Sequence, residues 1–149
     1  MQKELIIIRN ATQNDISQIL ILEEQLFPFD SWTADMFEHF YNNAMANFVV
    51  AMLNNTVVGY MCIHFIDDFA ELENLAVCAT MHRCGIGKAL LQYAIQSAQN
   101  QGAQHIFLEV ATTNTAAIEL YKSFNFTPLR IRKNYYTYGD AIELRFSFA

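Results

Sequence analysis

Between Glu71 and Ala111 an apolar strand (ELENLAVC), an amphipathic helix opened by two glycines, and a second apolar strand (HIFLEVA) follow one another directly. No other feature of the 149 residues narrows the fold as much. Two neighbouring strands joined through a helix must run parallel, and the crossover between them is right-handed. The strands before this unit have no room for such crossovers. Asn54-Asn55 separates FVVAML (Phe48–Leu53) from VVGYMCIHF (Val57–Phe65), and Asp67-Asp68 separates that run from ELENLAVC, so both connections read as hairpins. The expectation is a mixed α/β (α+β) domain, residues 1–149, whose mostly antiparallel sheet contains one central parallel pair and is flanked by helices.

The remaining elements fill in that frame. ELIIIRNA (Glu4–Ala11) predicts a first strand, and Asp15 starts a helix whose Ile16, Ile19, Leu20, Leu22, Glu23 and Leu26 share one stripe at helical spacing. Pro28 breaks the chain, after which Ser31 or Thr33 can cap a short helix carrying Trp32, Met36, Phe37 and Phe40. The central helix should run from about Gly87 to Gln101 and stop at Gly102. A further helix, TAAIELYKSF, is capped by Asn114 or Thr113, and strands near Thr127–Lys133 and Ala141–Phe148 close the sheet.

With 53% hydrophobic and 16% charged residues the chain can bury a sizeable core. Its longest apolar run near the start, Leu5–Ile8, is far too short for a membrane span or a signal-peptide core, so a soluble, unexported, cytoplasmic protein is expected, with no membrane partner. Cys62, Cys78 and Cys84 make an odd count in or beside apolar sequence and read as thiols that pack, not as disulfides. No spacing of Cys and His suggests a metal site. The net charge of −6 is unevenly placed: residues 1–82 hold 11 acids and 2 bases, residues 83–149 hold 4 acids and 7 bases. An acidic half beside a basic half suits a cationic substrate meeting a phosphate-bearing cofactor and argues against nucleic acid.

The glycine pair lies in HRCGIGKALL, His82–Leu91. A glycine-rich helix start offers unpaired N–H groups and a positive dipole end to a phosphate. A Walker loop is excluded, because His82 stands where its first glycine belongs and Ala89 follows Lys88; a dinucleotide fingerprint would need glycine at Leu90. His82-Arg83-Cys84-Gly85-Ile86-Gly87 resembles the acetyl-CoA loop of the GCN5-related N-acetyltransferases (GNAT), Q/R-x-x-G-x-G/A, with His82 in the Gln/Arg place. Downstream, EVATTNTAAIELYKSFNF is similar to the strand-helix segment of one branch of that family, the RimI type or ribosomal-protein-alanine N-acetyltransferases, and IRKNYYTYGDAIEL resembles its C-terminal signature. Asn125 departs from the usual glycine, and asparagine is the next best residue for a left-handed cap.

The resemblance implies a GNAT fold whose parallel pair splays at the cofactor site. It implies acetyl-CoA as cosubstrate, held by main-chain donors of Arg83, Cys84, Gly85, Ile86, Gly87 and Lys88 and by the bulged fourth strand at Leu75, Ala76 and Val77, with the Val77 N–H as oxyanion donor. It implies Asn114 and Tyr121 on the cofactor groove, Glu109 as catalytic base, Tyr121 as the acid that protonates the departing sulfur, and Trp32, Tyr135 and Tyr136 on two loops walling the acceptor groove. The residues are chemically apt: Glu109 interrupts an apolar strand, where desolvation can raise its pKa, and Tyr121 follows Asn114 by two helical turns. The implied acceptor is a protein N-terminus, in the RimI type the alanine of a small-subunit ribosomal protein, and carboxylates such as Glu23, Glu24 and Asp35 could attract its charge. Lysine side chains, a small amine, or a noncatalytic acyl-CoA-binding module stay open as alternatives; intact Glu109 and Tyr121 argue against the last.

Overall fold

The computed structural model describes residues 5–82 and 84–149. Among these described residues, seven strands and four α-helices follow the expected order: β1 (Ile6–Asn10), α1 (Ile16–Leu26), α2 (Ala34–Tyr41), β2 (Ala46–Leu53), β3 (Thr56–Ile66), β4 (Phe69–Val77), α3 (Ile86–Asn100), β5 (His105–Ala111), α4 (Thr115–Ser123), β6 (Thr127–Tyr136) and β7 (Gly139–Ser147). They form one sheet in the order β1-β2-β3-β4-β5-β7-β6. Every neighbouring pair is antiparallel except β4 and β5, which α3 joins. Asn54 (φ 49°) and Asn55 (φ 64°) adopt the doubly left-handed conformation that a two-residue hairpin requires.

The helices split between the two faces. Ile16 and Ile19 of α1 and Phe37 of α2 pack with Val50, Tyr60, Cys62 and Ala76 on one face. Leu90, Leu91 and Ala94 of α3 and Tyr121 of α4 pack with Val49, Met61, Leu72 and Leu108 on the other. Gly59 in β3 lets α3 close onto the sheet: a Cβ there would lie 3.0 Å from the Ala76 carbonyl oxygen, 3.1 Å from Leu90 Cδ1 and 3.3 Å from Ile86 Cγ2. Because the nearest atom is backbone, Gly59→Ala should cost about 1–3 kcal/mol. Thermal unfolding checks this, and an unchanged midpoint would contradict it.

Some boundaries differ from expectation for local reasons. Helix α3 starts at Ile86, one residue early, because Gly85 takes the N-cap position with φ 83°. Strand β6 continues past Lys133 to Tyr136, because a register irregularity at Asn134 (φ 54°) lets Tyr136 pair with Gly139. Asn125 has φ 71°, the left-handed cap its identity suggested, and Gly102 (φ 79°) follows the end of α3. The thiols need correction: Cys62 is buried, but Cys78 is only half-buried and Cys84 is exposed, so Cys84 is not a packing residue. Glu4, expected to begin β1, lies outside the described residues.

Candidate active site

The site begins at an extra residue in β4. Cys62 pairs with Asn74 but Ile63 pairs with Leu72, which leaves Glu73 as a bulge. The bulge resets the alternation of the strand, so that Ala70 and Leu72 before it and Leu75 and Val77 after it all face the α3 side. Pairing between β4 and β5 covers Phe69↔His105 to Glu71↔Phe107 and then stops, which opens a cleft between the two strands. The Cys78 amide donates to the Val58 carbonyl at 2.8 Å. By the two-residue alternation of an antiparallel ladder the Ala76 amide also faces β3, whereas the amides of Leu75 and Val77 face the cleft. The expected trio of main-chain donors therefore reduces to two, with Ala76 corrected to a ladder residue whose side chain is buried.

A cavity of ≈ 130 Å³ lies in this cleft. Glu73, Asn74 and Leu75 line it from β4, Glu109, Val110 and Ala111 from β5, and Asn114, Ala117 and Tyr121 from α4 and its N-cap. Asn114 also caps α4, its side-chain oxygen accepting from the Ala117 amide at 3.3 Å. Tyr121 is 7% exposed and stacks at a tilt on Phe126, 5.7 Å between centroids. Burial alone pushes its phenol well above the ordinary tyrosine range, so the hydroxyl stays protonated and available as a donor.

The glycine loop flanks the cleft at the end of β4. Gly85 supplies no side-chain cap, so the first-turn amides of Ile86, Gly87 and Lys88 lack the partner a Ser or Asp would give. A Cβ on Gly87 would stand 3.4 Å from Leu120 Cδ2 and 3.8 Å from Val77 Cγ2, in the space between α3, α4 and β4. Ile86 is buried, whereas Lys88 and Cys84 are exposed. His82, in the place where the loop motif usually has Gln or Arg, holds the Val77 carbonyl through Nε2 at 2.9 Å and so ties the loop to the strand end. Arg83 lies outside the described residues. Orphan amides, a side-chain-free cradle and an adjacent lysine are a donor set suited to a diphosphate.

Two loops close the other side. Trp32 lies between α1 and α2, half-buried on Phe37 (5.1 Å) and Phe40 (5.3 Å), and lines the cavity with Phe27 and Asp30. Tyr136 at the end of β6 and Tyr138 in the β6–β7 connection, stacked 5.0 Å apart, line it from across the sheet. Phe29 is 76% exposed and meets Tyr138 at 6.4 Å, and Thr137 Oγ1 donates to Asp30 Oδ2 at 3.0 Å, so the two loops touch. Tyr135 is 47% exposed and stands outside the cavity lining, under the Arg132 guanidinium at 5.7 Å.

Two carboxyls on the cleft, Glu109 and Glu73, are raised. Burial raises the Glu109 carboxyl above the ordinary glutamate range, Arg132 opposes the rise, and Glu143 and Glu71 add to it. Arg132 Nε lies 3.6 Å from Glu109 Oε1, and its Nη2 lies 3.4 Å from Glu143 Oε2. The bulge carboxyl of Glu73 is raised too, by the groove walls, by a hydrogen bond and charge from Glu71, then by Glu109; its side chain still meets solvent, which limits the rise. If ionised Glu109 takes the proton, the acidic limb of kcat/KM falls above the ordinary glutamate pKa. Because Arg132 favours the ionised form, Arg132→Gln should move that limb upward by roughly one pH unit, the guanidinium being partly exposed. The acceptor's own ionisation is common to both proteins, so an unmoved limb would contradict the assignment.

Sequence reasoning missed Arg132, Glu73 and Glu143. It placed Glu23 on the apolar stripe of α1, and there the residue is buried, against the cavity. The spacing of Leu72 and Leu75 carried a readable signal for the bulge, since strict alternation would put the next core residue at Asn74.

The cleft between β4 and β5 thus gathers the raised carboxyl of Glu109 from β5 and the buried phenol of Tyr121 from α4 beside a helix start whose amides lack a side-chain cap. Residues 15–126 match the acetyltransferase (GNAT) family, and the chain belongs to it. It is 30% identical over 136 residues to the ribosomal protein bS18-alanine N-acetyltransferase of Escherichia coli K12, covering 91% of this chain and 90% of that one. It is 32% identical over 146 residues to an N-alpha-acetyltransferase of Sulfolobus acidocaldarius, covering 89% and 86%. The crystal structure of the E. coli ribosomal-protein-S18-alanine N-acetyltransferase superposes with a TM-score of 0.86 at 28% identity over 97% of this chain and 96% of that chain. The protein is an acetyl-CoA-dependent N-acetyltransferase of the GNAT fold.

Proposed function

We propose that the enzyme acetylates the N-terminal α-amine of a protein, with the N-terminal alanine of a small-subunit ribosomal protein as its target. The observation that carries this reading is the shared cavity, in which Glu109 and Tyr121 face a groove walled by Trp32 on the α1–α2 loop and Tyr136 at the end of β6. Relatives named for acetylation of protein N-termini support it. The thioester of acetyl-CoA supplies the acyl carbon. Main-chain donors of Ile86, Gly87 and Lys88 bind the diphosphate, and the amides of Leu75 and Val77 hold the pantetheine arm and the acetyl oxygen, Val77 as oxyanion donor. Cys84 contributes through its backbone, as would Arg83, and Asn114 lines the groove near the arm.

Glu109 takes the proton from the amine, directly or through a water, as the new C–N bond forms. Tyr121 gives its proton to the sulfur as the C–S bond breaks, and solvent restores it. Trp32 and Tyr136 grip the first residues of the acceptor, and Tyr135 extends the aromatic wall outside the cavity. Cytoplasmic action fits this role, and no helix among the described residues is long and apolar enough to cross a membrane. Thiol release from acetyl-CoA tests the reading with three acceptors: a peptide with a free N-terminal alanine, the same peptide N-blocked, and an N-blocked peptide bearing lysine. The free N-terminus should be the preferred acceptor. Preference for lysine, or no turnover with any amine, would overturn it.

A further inference from the structure

Glu23 is 1% exposed, yet no Lys, Arg or His among the described residues pairs with it. A buried carboxylate without a cation is costly unless several donors satisfy it. Three do. The Trp32 amide donates to Oε2 at 2.9 Å, and the Tyr60 hydroxyl and Asn74 Nδ2 donate to Oε1 at 2.7 and 2.9 Å. These donors come from three places that must keep register around the cavity: the α1–α2 loop, the centre of β3, and the residue of β4 next to the bulge.

We infer that Glu23 is the positioning residue of the acceptor groove, its carboxylate clamping the Trp32 loop to the bulged strand so that the aromatic wall stands at a fixed distance from the cleft. This inference rests on the acceptor-groove reading above. The group moves no proton in the reaction; it acts through Trp32 and Asn74. The clamp lies on the α1–α2 side of the sheet, whereas the glycine loop opens α3 on the other, so its loss should touch the acceptor and spare the cofactor.

Trp32 is the chain's only tryptophan, so its fluorescence reports the loop directly. Glu23→Gln leaves one acceptor oxygen for three donors, and at least one of the three bonds is lost or reversed. Tyr60→Phe removes one donor while keeping the ring that meets Phe37 edge-on at 5.8 Å. Expected for Glu23→Gln are a red-shifted, more quenchable Trp32 emission and an acceptor KM raised about tenfold, with kcat and the acetyl-CoA dissociation constant within about threefold of wild type. Tyr60→Phe should move the same two readouts in the same direction by less, and decides the matter if Glu23→Gln does not fold. Unchanged emission and KM, or acetyl-CoA binding weakened in parallel, would overturn the inference. The acceptor is whichever amine the wild type turns over. If that is not a protein N-terminus the proposed function fails, while the fluorescence still judges the clamp.

Discussion

Tyr121→Phe should lower kcat by about 100-fold while the acetyl-CoA dissociation constant stays within about twofold. The substitution removes one oxygen from a side chain that is already buried and keeps the ring against Phe126, so the start of α4 and its Asn114 cap remain in place. What disappears is a phenol donor that burial keeps protonated where the cavity meets α4. Steady-state rates and isothermal titration separate the two effects. Equal losses in turnover and affinity would mean that the phenol merely shapes the cofactor groove.

Glu109→Gln should reduce kcat/KM by about 100- to 1,000-fold and remove the enzyme's part of its acidic limb, leaving only the ionisation of the acceptor amine. The amide is the same shape and leaves the backbone carbonyl that Tyr136 approaches at 3.5 Å untouched. Arg132 keeps Glu143 as a partner at 3.4 Å. Glu71 and Glu143 raise the Glu109 carboxyl, and Glu109 in turn raises that of Glu73, so removing its charge relieves repulsion and the folded protein should be no less stable at neutral pH. The loss of rate then cannot come from unfolding. A variant whose limb still shows a carboxyl beside the acceptor amine would shift the base role elsewhere, with Glu73, raised and also on the cavity, the first candidate.

The sequence carried the architecture because each local signal agreed with its neighbours. Asn-Asn and Asp-Asp turns demanded hairpins, and a helix between two apolar strands demanded a parallel pair. The spacing of Glu109, Asn114 and Tyr121 was legible for the same reason, since a strand, a cap and two helical turns fix their relative places. What distant residues decide was not. Glu23 at helical spacing looks like one more position on the apolar stripe, and its three donors lie 9, 37 and 51 residues away. Arg132 meets Glu109 only because β6 and β5 both pair with β7. The direction of the Ala76 amide follows from the register with β3, which no run of side chains displays. Tyr135 had the composition of a groove residue but falls outside the cavity lining, because the irregular end of β6 displaces it.

Amide chemical shifts recorded by two-dimensional NMR during titration with coenzyme A test most directly whether the cleft between β4 and β5 is where the acyl donor lodges. Saturable shifts should concentrate at Leu75 and Val77 and at Ile86, Gly87 and Lys88, with Ala76 moving less than its two neighbours. Shifts gathered on another face of the sheet, or no saturation, would contradict the account.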